Sequence, residues 1–366
     1  MKTEAGKTAL ITGASSGIGQ ELAKLFAKDG YNLVLVARND EKLNKLAEEF
    51  NEDYGVQTIV IGKDLSRENV AQEVYDEVTG RGITVNVLVN DAGVATYGKF
   101  ATDTNWEREK SLIHLNVLTV THMTKLFLKD MVVRNEGKIL QLASLVSITP
   151  FPLMAVYAAT KAYVYNFTQS LNNELKDTNV TITALMPNAT NTNFFNEAGA
   201  PYLNVQDQVD DPAMVAKDGY NALMAGKSKV VPGGFVNKSY EVMAHLMPDE
   251  TMASMMRYNM TPKGESEREG NTSAWAIGLG IAAAVIAGVA LVTAYNNADL
   301  ATKARYRYKA GKLKYKANGL FEDAKSAVAD SWDTVKHNNA FEDAKDSLVN
   351  GWDDVKGKTK TAVAQA

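Results

Sequence analysis

The chain contains no cysteine. Disulfides, thiolate metal sites and cysteine nucleophiles are therefore excluded from its chemistry. Histidine is nearly as scarce. His114, His122, His245 and His337 are the only four, and none belongs to an HExxH-type cluster, so no metal is expected. Charge of one sign is also lacking: a net charge of −4 over 366 residues leaves no footprint for nucleic acid. The N-terminus shows no signal peptide and runs from MKTEAGK straight into a strand-like run. That places the first domain in the compartment where it is made, the cytoplasm. What is present is ordinary globular composition, 45% hydrophobic and 22% charged, long enough for one large core and an appendage.

Residues 8–12 (TALIT) read as a short apolar strand, followed by Gly13-Ala14-Ser15-Ser16-Gly17-Ile18-Gly19 and a helix over 20–28. Strand, glycine-rich turn and helix is the context in which backbone approaches a pyrophosphate and a helix N-terminus supplies oriented N–H groups. The next strand, 32–37, ends at Ala37-Arg38. An acidic residue there would hold the ribose 2′-hydroxyl of NAD; an arginine suits a 2′-phosphate. NADP(H) is therefore the preferred cofactor, with NAD(H) kept open by nearby Asp40. A third strand, 57–62, leads to Asp64-Leu65, whose carboxylate either bonds the adenine amino group or caps the following helix. A fourth, 85–90, ends in Asn90-Asp91-Ala92-Gly93. Strands alternating with amphipathic helices predict an α/β fold with a doubly wound parallel sheet. Ligands bind such sheets beyond the carboxyl ends of the strands, and the glycine turn, Arg38, Asp64, Asn90 and Ser144 all follow strands.

Ser144 ends the apolar run KILQLAS, where its hydroxyl is placed to bond a substrate oxygen. Tyr157 and Lys161 stand four apart in a predicted helix, so phenol and ammonium share a face. A neighbouring ammonium favours phenolate and lowers a tyrosine pKa from roughly 10, which makes the phenol a usable acid or base. A long helix is expected over 105–134 with Asn116 at its middle. Beyond the strand 180–186 and the turn Pro187…Thr192, residues 193–211 form an irregular stretch with Phe194, Phe195, Tyr202 and Leu203, the composition of an apolar lid. A helix over 212–225, a short strand at 229–231 and a methionine-rich helix over 239–260 complete this domain.

The pieces TGASSGIG at 12–19, NDAG at 90–93, Asn116, Ser144, Tyr157-xxx-Lys161 and Pro187…Thr192 keep one order and spacing. In these, residues 1–262 resemble the classical short-chain dehydrogenases/reductases. The resemblance implies one Rossmann domain with a seven-stranded sheet. It implies Tyr157 as acid/base, Ser144 orienting the substrate carbonyl, Lys161 on the nicotinamide ribose and lowering the Tyr157 pKa, and Asn116 holding a water of a proton relay. The cofactor set it implies is Gly13, Ser15, Ser16, Gly17, Ile18, Gly19, Arg38, Asp64, Leu65, Asn90, Ala92, Gly93, Tyr157, Lys161, Pro187 and Thr192. Homo-oligomers are common in the family and are expected here. Two departures stand out: Asp91 where the family has asparagine, read as a structural change, and Asn188 where it has glycine, which puts the nicotinamide end in question. The expected activity is hydride transfer interconverting a carbonyl and an alcohol, on a small hydrophobic substrate. A non-catalytic nucleotide-binding sensor or scaffold, whose tail recruits a membrane or partner, is the alternative.

The resemblance stops near residue 261. After a linker at 263–273, residues 274–295 are almost wholly apolar, and no charge occurs between Gly270 and Ala298. About 20 such residues cross a bilayer, so a transmembrane helix is expected and with it a membrane-associated protein. Ala276, Gly280, Ala284 and Gly288 make a small-residue stripe, and Trp275 and Tyr295 fit interfacial anchors. A basic juxtamembrane segment (296–318) follows, with seven basic residues and one acidic between Asp299 and Lys316. It conflicts with a cytoplasmic catalytic domain on the far side of a single span, which leaves a re-entrant or surface-lying segment open. The tail (319–366) carries a 20-residue repeat: Phe321, Ala324, Val328, Trp332 and Val335 recur as Phe341, Ala344, Leu348, Trp352 and Val355. That spacing is amphipathic and helical.

Overall fold

The computed structural model describes Glu4, residues 6–207 and 209–234, and residues to 263 except 235–236, 239, 242–243 and 245–246. The apolar segment 274–295, the basic segment and the repeat tail lie outside the described residues. Among the described residues no helix is long and apolar enough to cross a membrane.

Seven strands form one parallel sheet in the order β3-β2-β1-β4-β5-β6-β7. They are β1 (Thr8–Thr12), β2 (Asn32–Ala37), β3 (Thr58–Gly62), β4 (Val87–Asn90), β5 (Gly137–Leu142), β6 (Val180–Leu185) and β7 (Lys229–Val230). Parallel strands are buried on both faces, which is why TALIT and NLVLVA read as continuous apolar runs rather than alternating ones. Successive β1 side chains still divide between two cores. Ala9 and Ile11 pack with α1 (Gly17–Lys28), α2 (Asp40–Tyr54) and α8 (Pro212–Met224), whereas Leu10 packs with α3 (Val70–Gly80) and α5 (Val120–Arg134).

The first core is anchored by Phe26, whose ring meets Tyr31 at 5.1 Å and Tyr220 at 4.9 Å, both edge-on. Truncating such a fully buried phenylalanine to alanine costs about 3–5 kcal/mol. Helix starts and stops follow side-chain chemistry. Asn39 Oδ1 accepts the Lys42 N–H at the start of α2, and Gly55, at φ 68°, ends it in the left-handed conformation. Asp211 caps α8 with Pro212 in the first turn. Asn135, left-handed at φ 53°, ends α5, and its Oδ1 accepts the Asn179 N–H just ahead of β6.

The long helix expected over 105–134 is interrupted. It is α4 (Trp106–Ile113), a π-helical turn at His114–Thr119 and then α5. Such turns concentrate at functional positions. The stretch 193–211 is also less irregular than its sequence reads. It contains the one-turn helix α7 (Phe194–Glu197) and a 3₁₀ turn, Asn204–Asp207, and is tied down by bridges from Thr190 to Asp210 and from Leu203 to Pro262. Of the methionine-rich 239–260, α9 (Asp249–Asn259) is described, with Met252, Met255 and Met256 buried.

Candidate active site

The strand order reverses between β1 and β4, and a crevice opens there at the carboxyl ends of the strands. A cavity of about 750 Å³ occupies it. Its wall includes Gly13, Ser15, Ser16, Gly17, Ile18, Arg38, Asp64, Leu65, Ala92, Gly93, Ser144, Tyr157, Lys161, Pro187 and Thr192, so most of the residues singled out in the sequence meet at one place.

The residues at the first turn fit a dinucleotide. Gly13 and Gly17 have φ of 71° and 58°. A Cβ on Gly17 would lie 3.0 Å from Thr192 Cγ2, so the turn also leaves no room for a side chain. Helix α1 begins directly behind it. The Ser16 side chain makes no capping bond, and no acidic residue stands in the first turn. The first two N–H groups of α1, those of Gly17 and Ile18, are therefore left for an anion, with the dipole favouring negative charge; the third, that of Gly19, is taken by the Asp91 carboxylate. At the other end Arg38, exposed, shares the wall with Asn39, Lys42 and Lys63. Asp64 is a turn residue: its Oδ1 accepts both the N–H and the hydroxyl of Ser66. Burial alone would raise its pKa, but the Ser66 bonds, with Arg38 and Arg67 nearby, bring it below the usual value. These contacts close a local turn; they do not cap the following helix, which starts at Val70 after Asn69.

Three expected site residues stand behind the wall. Asn90 is 4% exposed, and its amide donates to Thr124 Oγ1 (3.1 Å) and Gln141 Oε1 (3.0 Å). Its side chain belongs to a buried polar network between β4, β5 and α5 and does not line the cavity. Gly19 is likewise a packing position, since a Cβ there would fall 2.6 Å from Gly13 O. Asn116 lies in the π-helical turn. Its Oδ1 accepts the Val94 N–H (3.1 Å), and its Nδ2 donates to Val94 O (2.9 Å) and Thr160 Oγ1 (3.1 Å). Both ends of the amide are thus committed to fastening the segment after β4 onto α6 (Ala155–Glu174).

Ser144 follows β5 by two residues and caps a 3₁₀ turn, Leu145–Ile148. Its N–H is held by Ser147 Oγ (3.1 Å), which donates in turn to the Lys161 carbonyl (2.9 Å). Ser147, which the sequence reading passed over, therefore locks the serine to the helix of the tyrosine. The spacing Ser-x-x-Ser ahead of that helix is the signal for it. Tyr157 bonds the Ser144 hydroxyl and packs its ring 5.2 Å from that of Phe194 on α7. The loop before α6 turns at Leu153, whose φ of 66° is unusual for a branched residue; the Gly98 N–H holds its carbonyl at 2.8 Å.

The electrostatics differ from the expectation. The Lys161 ammonium lies 5.7 Å from the centre of the Tyr157 ring and is bonded to Leu142 O at 2.6 Å. Burial pushes the Tyr157 phenol up, well above its usual value, and the Ser144 bond offsets only part of this. Lys161 itself, 4% exposed, is pushed down to about 8 by burial, opposed by the charge of Asp91. The i,i+4 argument is correct about proximity; removal from water outweighs it here.

Against known proteins, a family model for short chain dehydrogenase matches residues 7–202. A very-long-chain 3-oxoacyl-CoA reductase of Anas platyrhynchos is 35% identical over 188 residues, 50% of this chain and 59% of the relative. A 17-beta-hydroxysteroid dehydrogenase type 3 of Rattus norvegicus is 35% identical over 189 residues, 51% of this chain and 61% of the relative. The chain thus spans about three fifths of these relatives' length. Among solved structures, a short-chain dehydrogenase from Sphingobium yanoikuyae in complex with NADPH is 30% identical, with a TM-score of 0.60, over 66% of this chain and 93% of that one.

Proposed function

The chain belongs to the short chain dehydrogenase family, and from that premise we propose that it is an NADP(H)-dependent oxidoreductase that interconverts a carbonyl and an alcohol. The convergence of Ser144, Tyr157 and Lys161 on the crevice that also holds the glycine turn and Arg38 carries this reading. When bound, the nicotinamide cofactor supplies or accepts the hydride. Ser15, Ser16 and the α1 N-terminus bind its phosphates, and Arg38 takes the 2′-phosphate that separates NADPH from NADH.

Tyr157, with its pKa raised, carries its proton at neutral pH. It is therefore ready to donate that proton to a carbonyl oxygen as negative charge develops there. Ser144 supplies a second hydroxyl to the same oxygen, already oriented by Ser147. Asn116 works indirectly, as a positioning residue that joins Val94 to Thr160 and so to the Tyr157 turn, whose carbonyl accepts from Thr160 Oγ1 at 2.7 Å. Phe151, Met154, Phe194, Phe195, Val205 and Met256 are among the apolar residues of the wall. Such a wall suits a hydrophobic carbonyl or alcohol. The curated relatives named as acyl-CoA reductases and hydroxysteroid dehydrogenases are consistent with that class. The composition of 274–295 supports tethering of this activity to a membrane. The test is NADPH oxidation by the full chain with a panel of apolar ketones and aldehydes, beside Tyr157→Phe. The expected result is NADPH-dependent turnover reduced at least about 100-fold in the variant; unchanged turnover in Tyr157→Phe would sink the assignment.

A further inference from the structure

Residues 187–192, the turn after β6, join the two halves of the crevice. At the start of the turn the Pro187 carbonyl accepts the Ser144 hydroxyl (3.3 Å) and the Leu145 N–H (3.0 Å). At its end Thr192 lies over the glycine turn, with Cγ2 3.0 Å from where a Cβ on Gly17 would sit. Pro187, Asn188, Ala189, Thr190 and Thr192 line the cavity between these points. A dinucleotide with its phosphates at the start of α1 and its reacting ring at Ser144 and Tyr157 therefore lies along this turn.

Asn188 stands in the turn where glycine was expected, yet its backbone is ordinary: among the described residues the non-glycine residues with positive φ are Asn69, Asn135 and Leu153. Its amide makes a bond that glycine cannot, donating to Asn237 Oδ1 at 3.1 Å. Asn237, beyond β7, is buried, and its Nδ2 donates to Asp210 Oδ2 (2.7 Å) and to Pro232 O (3.0 Å). A backbone carbonyl can only accept, so the nitrogen end of the Asn237 amide is fixed on that side and the oxygen is left for Asn188. Room for the amide comes from Gly233, at φ 85°, where a Cβ would fall 2.6 Å from Asn237 Nδ2. Asp210 is tied to the same turn through its main chain. Its N–H donates to Ala189 O (2.8 Å), and its carbonyl accepts the Asn191 N–H (2.9 Å).

We propose that Asn237 is a positioning residue for the nicotinamide half of the cofactor: joined to Asn188 and Asp210, it is the centre of a clamp that sets the turn on which that half lies. This rests on the reading of the site as an NADP(H) oxidoreductase. The clamp acts through the turn and not by touching the cofactor. Each of its bonds falls at residues 188–191, 210, 232 or 237, whereas the 2′-phosphate is assigned to Arg38 at the other end of the crevice. Its loss therefore weakens the hold on one half of the cofactor and leaves the adenosine half as it was. Asparagine at 188 is in this sense an added anchor: it exchanges the freedom of a glycine for a bond to a buried partner.

The test is calorimetric titration of the full chain with two probes, NADPH and adenosine 2′,5′-bisphosphate, which carries the 2′-phosphate but no nicotinamide. Asn237→Ala is expected to raise the NADPH dissociation constant about 10-fold and that of the bisphosphate less than about 2-fold. Asp210→Ala is expected to show the same selective loss. Asp210→Asn retains an oxygen for the Asn237 amide and is expected to recover most of the NADPH affinity, a rescue that a general loosening of the fold would not give. Equal weakening of both probes in Asn237→Ala, or of neither, overturns the proposal. Should Asn237→Ala not fold, Asn188→Gly removes the same bond from the cavity side; it is expected to weaken NADPH selectively, and an unselective change overturns the proposal. A wild-type chain that binds neither probe overturns the cofactor reading and the clamp with it, whereas a wild-type chain that binds both, beside an unselective variant, overturns the clamp alone.

Discussion

Replacing Arg38 by alanine tests the cofactor assignment with the fewest side effects. The residue sits at the end of β2, exposed on the cavity wall beside Asn39 and Lys42, and bears no part of the core. Stability is therefore expected to change by less than about 0.5 kcal/mol. A hydrogen bond from a guanidinium to a phosphate contributes about 1.5–3 kcal/mol. Exposure to solvent favours the lower half of that range. Taking about 2 kcal/mol, the dissociation constant for NADPH rises about 30-fold. NADH has no 2′-phosphate, so its affinity is expected to change less than about 3-fold, the residue of a lost adenosine-face contact. Part of the preference survives in the variant, because Lys42 and Lys63 remain on the same wall. Fluorescence titration with both cofactors at low and raised salt measures this, and the NADPH loss should shrink as salt screens the pair. Equal weakening of NADPH and NADH, or none for either, refutes the placement of the 2′-phosphate at Arg38.

Two further outcomes follow from the other features. Asn90→Ala leaves the buried acceptor Gln141 Oε1 without its donor and removes one of the two donors to Thr124 Oγ1, so a loss of about 1–3 kcal/mol in denaturant unfolding is expected, with NADPH affinity little changed; a variant of full stability that fails to bind NADPH would return Asn90 to the cofactor surface. A chain ending at residue 263 is expected to leave the membrane fraction and stay in the supernatant while the full chain sediments with membranes; a full chain already in the supernatant after lysis contradicts tethering through 274–295.

The fold was legible because its signals are local and repeat. Seven apolar runs separated by amphipathic helical segments place seven strands within about two residues of their observed limits. The glycine turn and Tyr157-xxx-Lys161 were legible for the same reason: a spacing on one element determines a geometry. Interruptions and partners across elements were not. Nothing in LIHLNVLTV says that the helix widens to a π-helical turn, where the Asn116 amide bonds Val94 in another segment. The burial of the Asn90 side chain was hidden for a related reason. A polar residue at the end of a strand looks directed at the crevice, and only the side chains of Thr124 and Gln141 reveal that it faces the other way. The ordered turns within 193–211 depend on Asp210 and Pro262, which are distant in sequence from their partners.

The tyrosine and lysine show how a correct local reading can give the wrong sign. On a solvated helix face, an ammonium four residues away would favour phenolate by a modest Coulombic term. In the fold both groups leave water, and the cost of charge in the interior is larger than the attraction across 5.7 Å from ammonium to ring centre. Each is pushed toward its neutral form, the phenol up and the ammonium down. On the proposed reading, Tyr157 holds a proton to give, so carbonyl reduction would start from the protonation state already present, whereas alcohol oxidation would first have to remove that proton against the burial cost.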